Sequence, residues 1–307
     1  MHERRALERA TEAYERARRK AFLGRVLAAT TGRSNRLLAF SDIGTETRVG
    51  GPVYRGLQAV ELSKIVGSVD RYTDFDRAFM PIQEFTRDRW QRVGSAYFDD
   101  IQLPPVTLYK LGDAYFVIDG NHRISVAHEL GREFIDAEVY EFHARVPITP
   151  DMEPEELTTA NTLAGFLAAT RLDEARPESD LRLSEVENYT RLLEHIQVHR
   201  YFRSIEDSRE FSFAEAAESW HDRVYQPIVG VIRATGILRD FPNRTEADLY
   251  LWLAEHLHYL RERHGQGVDL NAAARSFADR FTPRVFRRLW RGVARWVAPA
   301  SARTMKK

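Results

Sequence analysis

The stretch from Val106 to Phe142 constrains this chain most. Val106-Thr107-Leu108-Tyr109-Lys110 alternates apolar and polar side chains, Leu111-Gly112-Asp113 reads as a turn, and Ala114-Tyr115-Phe116-Val117-Ile118 reads as a second strand. Two short β-prone runs joined by a glycine-bearing turn predict a hairpin, because alternate side chains share one face of a pleated strand. Asp119-Gly120 ends the second strand. Ile124, Ala127 and Leu130 then recur at helical spacing, Gly131 supplies a stop, and residues 137–142 read as a further strand. Strand, turn, strand, helix and strand in succession predict a small α/β unit.

The flanks complete an α+β chain, a small mixed α/β domain followed by a mainly α-helical domain. Residues 1–30 read as a charged helix with a thin apolar stripe at Leu7, Tyr14, Phe22 and Val26. Residues 31–56 read as loop, broken at Gly50-Gly51-Pro52. The α/β domain covers 57–146, with a short helix around Leu62, Ile65 and Val66 and a longer one from Phe75 to Tyr97 carrying Phe85, Trp90 and Val93. Pro147, Pro150 and Pro154 read as a linker, and 155–307 as the helical domain. Ser184-x-x-Glu187 and Ser212-x-x-Glu215 have the form of capping boxes. Thr245 is an N-cap candidate for a helix burying Leu249, Trp252, Leu253, His256, Leu257 and Leu260, Pro227 should kink or divide the helix after Ser212, and Gly236 should end one.

Composition excludes several chemistries. The chain has no cysteine, which rules out disulfides, thiolate zinc sites, iron–sulfur clusters and a cysteine nucleophile. No apolar run approaches the roughly 20 residues of a membrane span, and a cytoplasmic location is expected. Lysine plus arginine equals aspartate plus glutamate at 45 each. That balance is uneven along the chain: residues 1–30 carry +4, residues 281–307 carry +8 with no acid, and the middle is acidic. Basic ends can meet phosphate in DNA or at a membrane surface, or dock on the acidic body of the same chain.

Asp119-Gly120-Asn121-His122-Arg123 sits where a strand meets a helix N-terminus. The first turn of a helix leaves N–H groups unpaired at the positive end of its dipole. Gly120 admits a close approach to the backbone, Arg123 offers a forked cation, His122 a donor or proton relay, and Asp119 a partner for a ribose hydroxyl, a metal or Arg123. The set predicts an anion site of the nucleotide-phosphate kind. The plainer alternative is a tight turn with Asn121 as N-cap and Arg123 in solvent.

In its order of elements, with Asp-Gly-x-His-Arg at the helix start and Val60-Glu61-Leu62-Ser63-Lys64-Ile65-Val66 upstream, residues 57–143 resemble the ParB/sulfiredoxin superfamily. The resemblance implies nucleotide binding. ParB-type members bind and hydrolyse CTP, sulfiredoxin uses ATP, and a related free-serine kinase uses ADP. It implies a nucleotide cofactor (CTP, ATP or ADP) with Mg2+, held by Gly120, Asn121, His122 and Arg123. It also implies catalytic roles for His122, Arg123 and Asp119 in a nucleotide hydrolase or phosphotransferase. Sulfiredoxin's catalytic cysteine is replaced by Asn121, so sulfinic acid reduction is out. ParB partition proteins carry Glu and a double Arg where this chain has Asn121, His122 and Arg123, and no helix-turn-helix is evident after Pro154. An acidic base like the serine kinase's has candidates in Glu61, Asp70, Asp74, Asp76 and Asp88. The stretch Phe241 to Trp252, with His195 to Tyr201, resembles DUF4032, which implies no known activity. The competing expectation is a DNA-binding regulatory protein that uses the basic termini without catalysis.

Other patterns are weaker. His195 and His199 are spaced i, i+4, with His221, His256, His258, Glu194 and Glu255 elsewhere, but there is no HExxH motif, and core or surface histidines are expected rather than a metal. Arg71, Tyr72, Asp74, Asp76 and Arg77 form a charged cluster that either lines the cleft or is a solvated helix entrance. Val285, Phe286, Leu289, Trp290, Val293, Trp296 and Val297 give a last amphipathic stripe beside Arg287, Arg288, Arg291 and Arg295.

Overall fold

The computed structural model describes residues 2–32, 34–265, 267 and 269–281. The amphipathic stripe from Val285 to Val297, and the DNA or membrane contact expected of it, lie outside the described residues. The chain divides into two compact units, Met1–Gly165 and Phe166–Lys307, and its architecture is α+β as the sequence predicts.

In the first unit, α1 (His2–Thr31) precedes β1 (Leu38–Ala39), β2 (Arg48–Glu61) and β3 (Ile65–Ser68). Then come α2 (Arg87–Phe98), the hairpin β4 (Val106–Leu111) and β5 (Ala114–Asp119), α3 (Asn121–Glu129) and β6 (Phe134–Ala144). The strands form one six-stranded mixed sheet in the order β1-β3-β5-β4-β6-β2. Within it β4 pairs antiparallel with β5 and parallel with β6, and β3 runs parallel to β5. One face of the sheet, with Val106, Leu108, Val117, Ala137 and Val139, packs on Tyr14, Trp90, Ile124 and Val126 of the three helices. On the other face Phe40 lies against Tyr109, Phe116 and Phe142.

Three local expectations are corrected. Residues 48–56 are strand, not loop: β2 runs through Gly50-Gly51-Pro52 with register shifts on either side of Val53–Tyr54, and Gly50 and Gly56 take φ of 72° and 83°. A glycine at positive φ lets an edge strand bulge and continue where another residue would stop it. The helix expected over Phe75–Tyr97 begins only at Arg87, because residues 75–81 fold back on themselves, with Phe75 bridging to Pro81 and the Asp76 carboxylate accepting from the N–H groups of Ala78 and Met80. Around Leu62 a single 3-10 turn gives way to β3.

The buried face of α1 also differs from the expected stripe. Tyr14 is buried, but Leu7, Phe22 and Val26 are exposed, and the inward face is Ala6, Ala10, Ala13, Ala17 and Ala21. Alanine lets helices approach closely, and Gly94 of α2 faces Ala10: a Cβ added there would stand 3.1 Å from the alanine's own. The Glu129 side chain, almost wholly buried, pairs with Arg16 and Lys20 and ties α1 to α3. Two cations of the basic N-terminus are thus neutralised inside the unit.

The helix α4 (Pro154–Thr170) begins inside the expected linker and crosses the division between the units, the second of which starts at Phe166 rather than at 155. The second unit continues with α5 (Leu172–Ala175), α6 (Asn188–Glu206), α7 (Phe213–Trp220), a π-helical turn (His221–Tyr225), α8 (Gln226–Thr235), α9 (Glu246–His264) and α10 (Leu270–Phe281). Ser212 and Glu215 form the capping box expected of them, Thr245 caps α9 in a second box with Asp248, and Gly236 ends α8 at φ 67°. Ser184 and Glu187 do not form one. α6 starts one residue after Glu187, and the Ser184 N–H donates instead to the buried Asp248 carboxylate. At Pro227 the helix is not broken: α7, the π turn and α8 follow one another without a gap, and the proline sits in the first turn of α8 directly after the π turn.

Candidate functional site

The carboxyl ends of the adjacent parallel strands β3 and β5 open onto a cleft of about 440 Å3. Asp70 and Arg71 follow β3, Asp119 to Arg123 follow β5, Arg89 and Val93 come from α2, and Leu103 and Pro104 close the rim. Ligands commonly collect there in open α/β sheets, because loops converge at the strand ends and helices begin there.

Gly120 has φ 114°, and a Cβ on it would come within 2.5 Å of Val106 Cγ1. Its conformation and its space both exclude any other residue, so the glycine shapes the strand-to-helix corner rather than merely making room for a ligand. It is also the N-cap of α3, which the sequence alternative had placed at Asn121. It offers no side chain to the helix start, and its carbonyl accepts the Ile124 N–H at 3.0 Å. The N–H groups of the first turn therefore face the cleft without a side-chain cap.

Arg123 is engaged. Its Nη1 donates to the carbonyl oxygens of Pro104 and Pro105, at 2.5 and 2.8 Å, and its Nη2 pairs with Asp119. The guanidinium pins the Leu103–Pro105 segment to α3 and builds the cleft wall, so the solvent-facing Arg of the plainer alternative does not occur. The reaching cations are Arg71, half-exposed and paired with Asp74 at 3.1 Å, and Arg89, exposed on α2 with no acidic partner among the described residues. Arg71 belonged to the charged cluster marked in the sequence. Arg89 was not singled out, because only the packing of α2 brings it to the strand ends.

His122 and Asn121 carry the unresolved polarity of the site. Neither His122 Nδ1 nor the Asn121 Oδ1 meets a hydrogen-bond partner, and both atoms are buried. His122 stands edge-on to Phe75 at 5.3 Å, and burial, aided by the charges of Arg89 and Arg71, pushes its pKa down to about 4. It is neutral at pH 7, suited to hydrogen bonding rather than to supplying charge. Most buried polar atoms in folded proteins are partnered, and exceptions concentrate where a ligand completes the set.

Of the five acidic candidates, Asp70 lines the cleft. Asp74 is held by Arg71 beside it, Asp76 is occupied in the 76–80 turn and raised above the ordinary carboxylate range by burial, and Glu61 lies at a separate hollow with Ser63 and His128. Asp88 is exposed on α2 and does not line the cleft. Arg77 joins Glu153 and the Met152 carbonyl, away from the cleft.

Four histidines of the helical unit are fastened individually. His195 Nδ1 meets the Tyr250 hydroxyl at 2.9 Å, His199 Nε2 meets Ser219 Oγ at 2.9 Å, and His256 Nε2 meets Ser276 Oγ at 3.1 Å. His221 lies between Asp222 and Ser179, at 2.9 and 2.8 Å, and Arg176 clamps both Asp222 oxygens. Among the described residues no group of three His, Asp or Glu side chains is placed to hold a metal, and no helix is long and apolar enough to cross a membrane.

The molecule thus joins an α+β unit, with an uncapped helix start at its strand ends, to a helical unit. Residues 151–282 match the family model described as a domain of unknown function, DUF4032. Among solved structures, a Pnob8-like ParB-N domain is similar to this chain at 11% identity, with a TM-score of 0.20, over 81% of this chain and 99% of that one. No curated protein matches the chain.

Proposed function

We propose that the cleft at the start of α3 binds the phosphates of a nucleotide. The observation that carries this reading is the pairing of an uncapped helix N-terminus with two buried, unpartnered polar atoms, His122 Nδ1 and Asn121 Oδ1, between the cations Arg71 and Arg89. Backbone N–H groups and a helix dipole favour an anion, and guanidinium forks match phosphate oxygens. The resemblance of residues 57–143 to nucleotide-binding proteins narrows the anion to a nucleotide. Mg2+ fits the donor set: Asp70 and Asp119 line the cleft, and this ion is usually held by one or two carboxylates, water and substrate phosphates. It would supply charge neutralisation at the phosphates.

Phosphoryl transfer or hydrolysis asks the protein chiefly for positioning and charge. Arg89 and Arg71 would contact phosphate oxygens, neutral His122 would hold one by hydrogen bonding, and Arg123 would keep the wall in place through Pro104 and Pro105. Asp70, which lines the cleft, would orient an attacking hydroxyl or water. The competing DNA reading rests on residues 281–307 and on an N-terminal helix whose Arg16 and Lys20 are already paired with Glu129.

Calorimetry with CTP, ATP, ADP and GTP in the presence of Mg2+ tests the proposal. The Arg89→Ala protein, altered at an exposed position, should bind about tenfold more weakly, as for the loss of one charge-assisted contact. No binding by the wild type, or equal binding by both proteins, overturns it.

A further inference from the structure

The solvent side of α1 changes character along its length. Up to Arg19 it carries Arg5, Glu8, Arg9, Glu12, Glu15 and Arg16, with Leu7 as the lone large apolar side chain exposed among the described residues there. Beyond Lys20 it carries Phe22, Leu23, Val26 and Leu27, which are 57%, 64%, 48% and 64% exposed. Phe22 with Val26 and Leu23 with Leu27 are i, i+4 pairs, so the four form one patch. At 100° per residue that patch lies opposite the buried row of Ala10, Ala13, Ala17 and Ala21. The helix therefore has two apolar faces, and the core uses only one.

From this we infer that the C-terminal half of α1 is a docking surface for an anionic lipid membrane. Residues 16–31 contain Arg16, Arg18, Arg19, Lys20 and Arg25 and no acidic residue. Arg19 sits on the same side as the patch, one turn before Phe22 and Leu23, and neither it nor Arg25 has an acidic partner among the described residues. Arg16 and Lys20 are paired with Glu129 and Arg18 with Glu84, so Arg19 and Arg25 supply the unpaired charge, and apolar side chains beside unpaired cations match the boundary between acyl chains and anionic headgroups. No described residue of α1 after Ala21 is buried. The patch thus lies on the outside of a helix end rather than in a groove, a shape that lipid accommodates by flowing around it. Four large apolar side chains gathered on one exposed helix face are unusual for surface that meets only water.

Co-sedimentation of the full chain with vesicles tests this. The wild type should sediment with phosphatidylcholine vesicles containing phosphatidylglycerol, bind much less to phosphatidylcholine alone, and release as salt is raised. Replacing Phe22, Leu23 and Leu27 together by Ser should weaken binding about tenfold or more, with the thermal melt unchanged because these side chains are outside the core. Three results overturn the inference. They are equal sedimentation of wild type and variant, no preference for the anionic vesicles, or a lipid-free wild-type dimer that becomes monomeric in the variant, which would assign the patch to a second copy of the chain.

Discussion

The two units treat their inward-facing histidines differently. In the helical unit His195, His199, His221 and His256 each have a ring nitrogen on a side-chain partner at 2.8 to 3.1 Å. In the α+β unit His122 and His128, at opposite ends of α3, each keep a buried ring nitrogen with no partner. Burial pushes both of the latter down to about 4. The helical unit thus ties each of these four histidines to a neighbour of its own. The α+β unit leaves its network open at α3, and the opening at His122 faces the cleft. Residue type does not separate the two sets, but hydrogen-bond satisfaction does.

That contrast can be broken by substitution, and the largest effect is expected in the helical unit. Tyr250→Phe removes the hydroxyl that receives Trp220 Nε1 at 3.0 Å and meets His195 Nδ1, leaving two inward groups unpaired. The expected loss is about 2–4 kcal/mol in urea unfolding, and a loss below about 1 kcal/mol would show that these groups are not tied as described.

A pH series sharpens the comparison next. His122 and His128 are held neutral in the fold, while in the unfolded chain they take up protons near the ordinary 6.5. Protons therefore favour the unfolded state, and stability is lost as pH falls from about 6.5 toward 4. Allowing for solvent screening, the loss from pH 7 to pH 5 should be about 2 kcal/mol. It should shrink in a His122→Phe, His128→Phe double variant, and an unchanged slope would place the acid sensitivity elsewhere.

The smallest effect on stability is expected at the site itself. His122→Phe removes a ring nitrogen that has no partner and keeps the packing against Phe75, so unfolding free energy should move by less than about 1 kcal/mol. Nucleotide binding should nevertheless fall. A large destabilisation would mean that His122 is partnered within the fold, and the contrast between the units would disappear.

Much of the architecture could be read from local pattern. The hairpin, α3 and β6, the caps at Ser212 and Thr245 and the stop at Gly236 all follow from alternation, helical spacing and residues with one strong backbone or capping preference. The errors share a cause. The path of β2 through Gly50-Gly51-Pro52, the fold-back at Phe75–Pro81 and the alanine face of α1 depend on partners distant in sequence, which no local window contains. The same holds at the site: the Asp119–Arg123 box marked its place, but not the engagement of Arg123 with Pro104 and Pro105 or the approach of Arg89.

The sequence by itself determined where a helix starts after a strand and that no cysteine chemistry is available. Those are local or compositional properties, fixed by backbone preference and by which side chains exist. Only the tertiary structure decided which cation builds the cleft wall and which are left to reach into it. It also decided which histidine nitrogens go unsatisfied and which apolar face of α1 is covered, because burial and pairing depend on what distant segments bring to the same place.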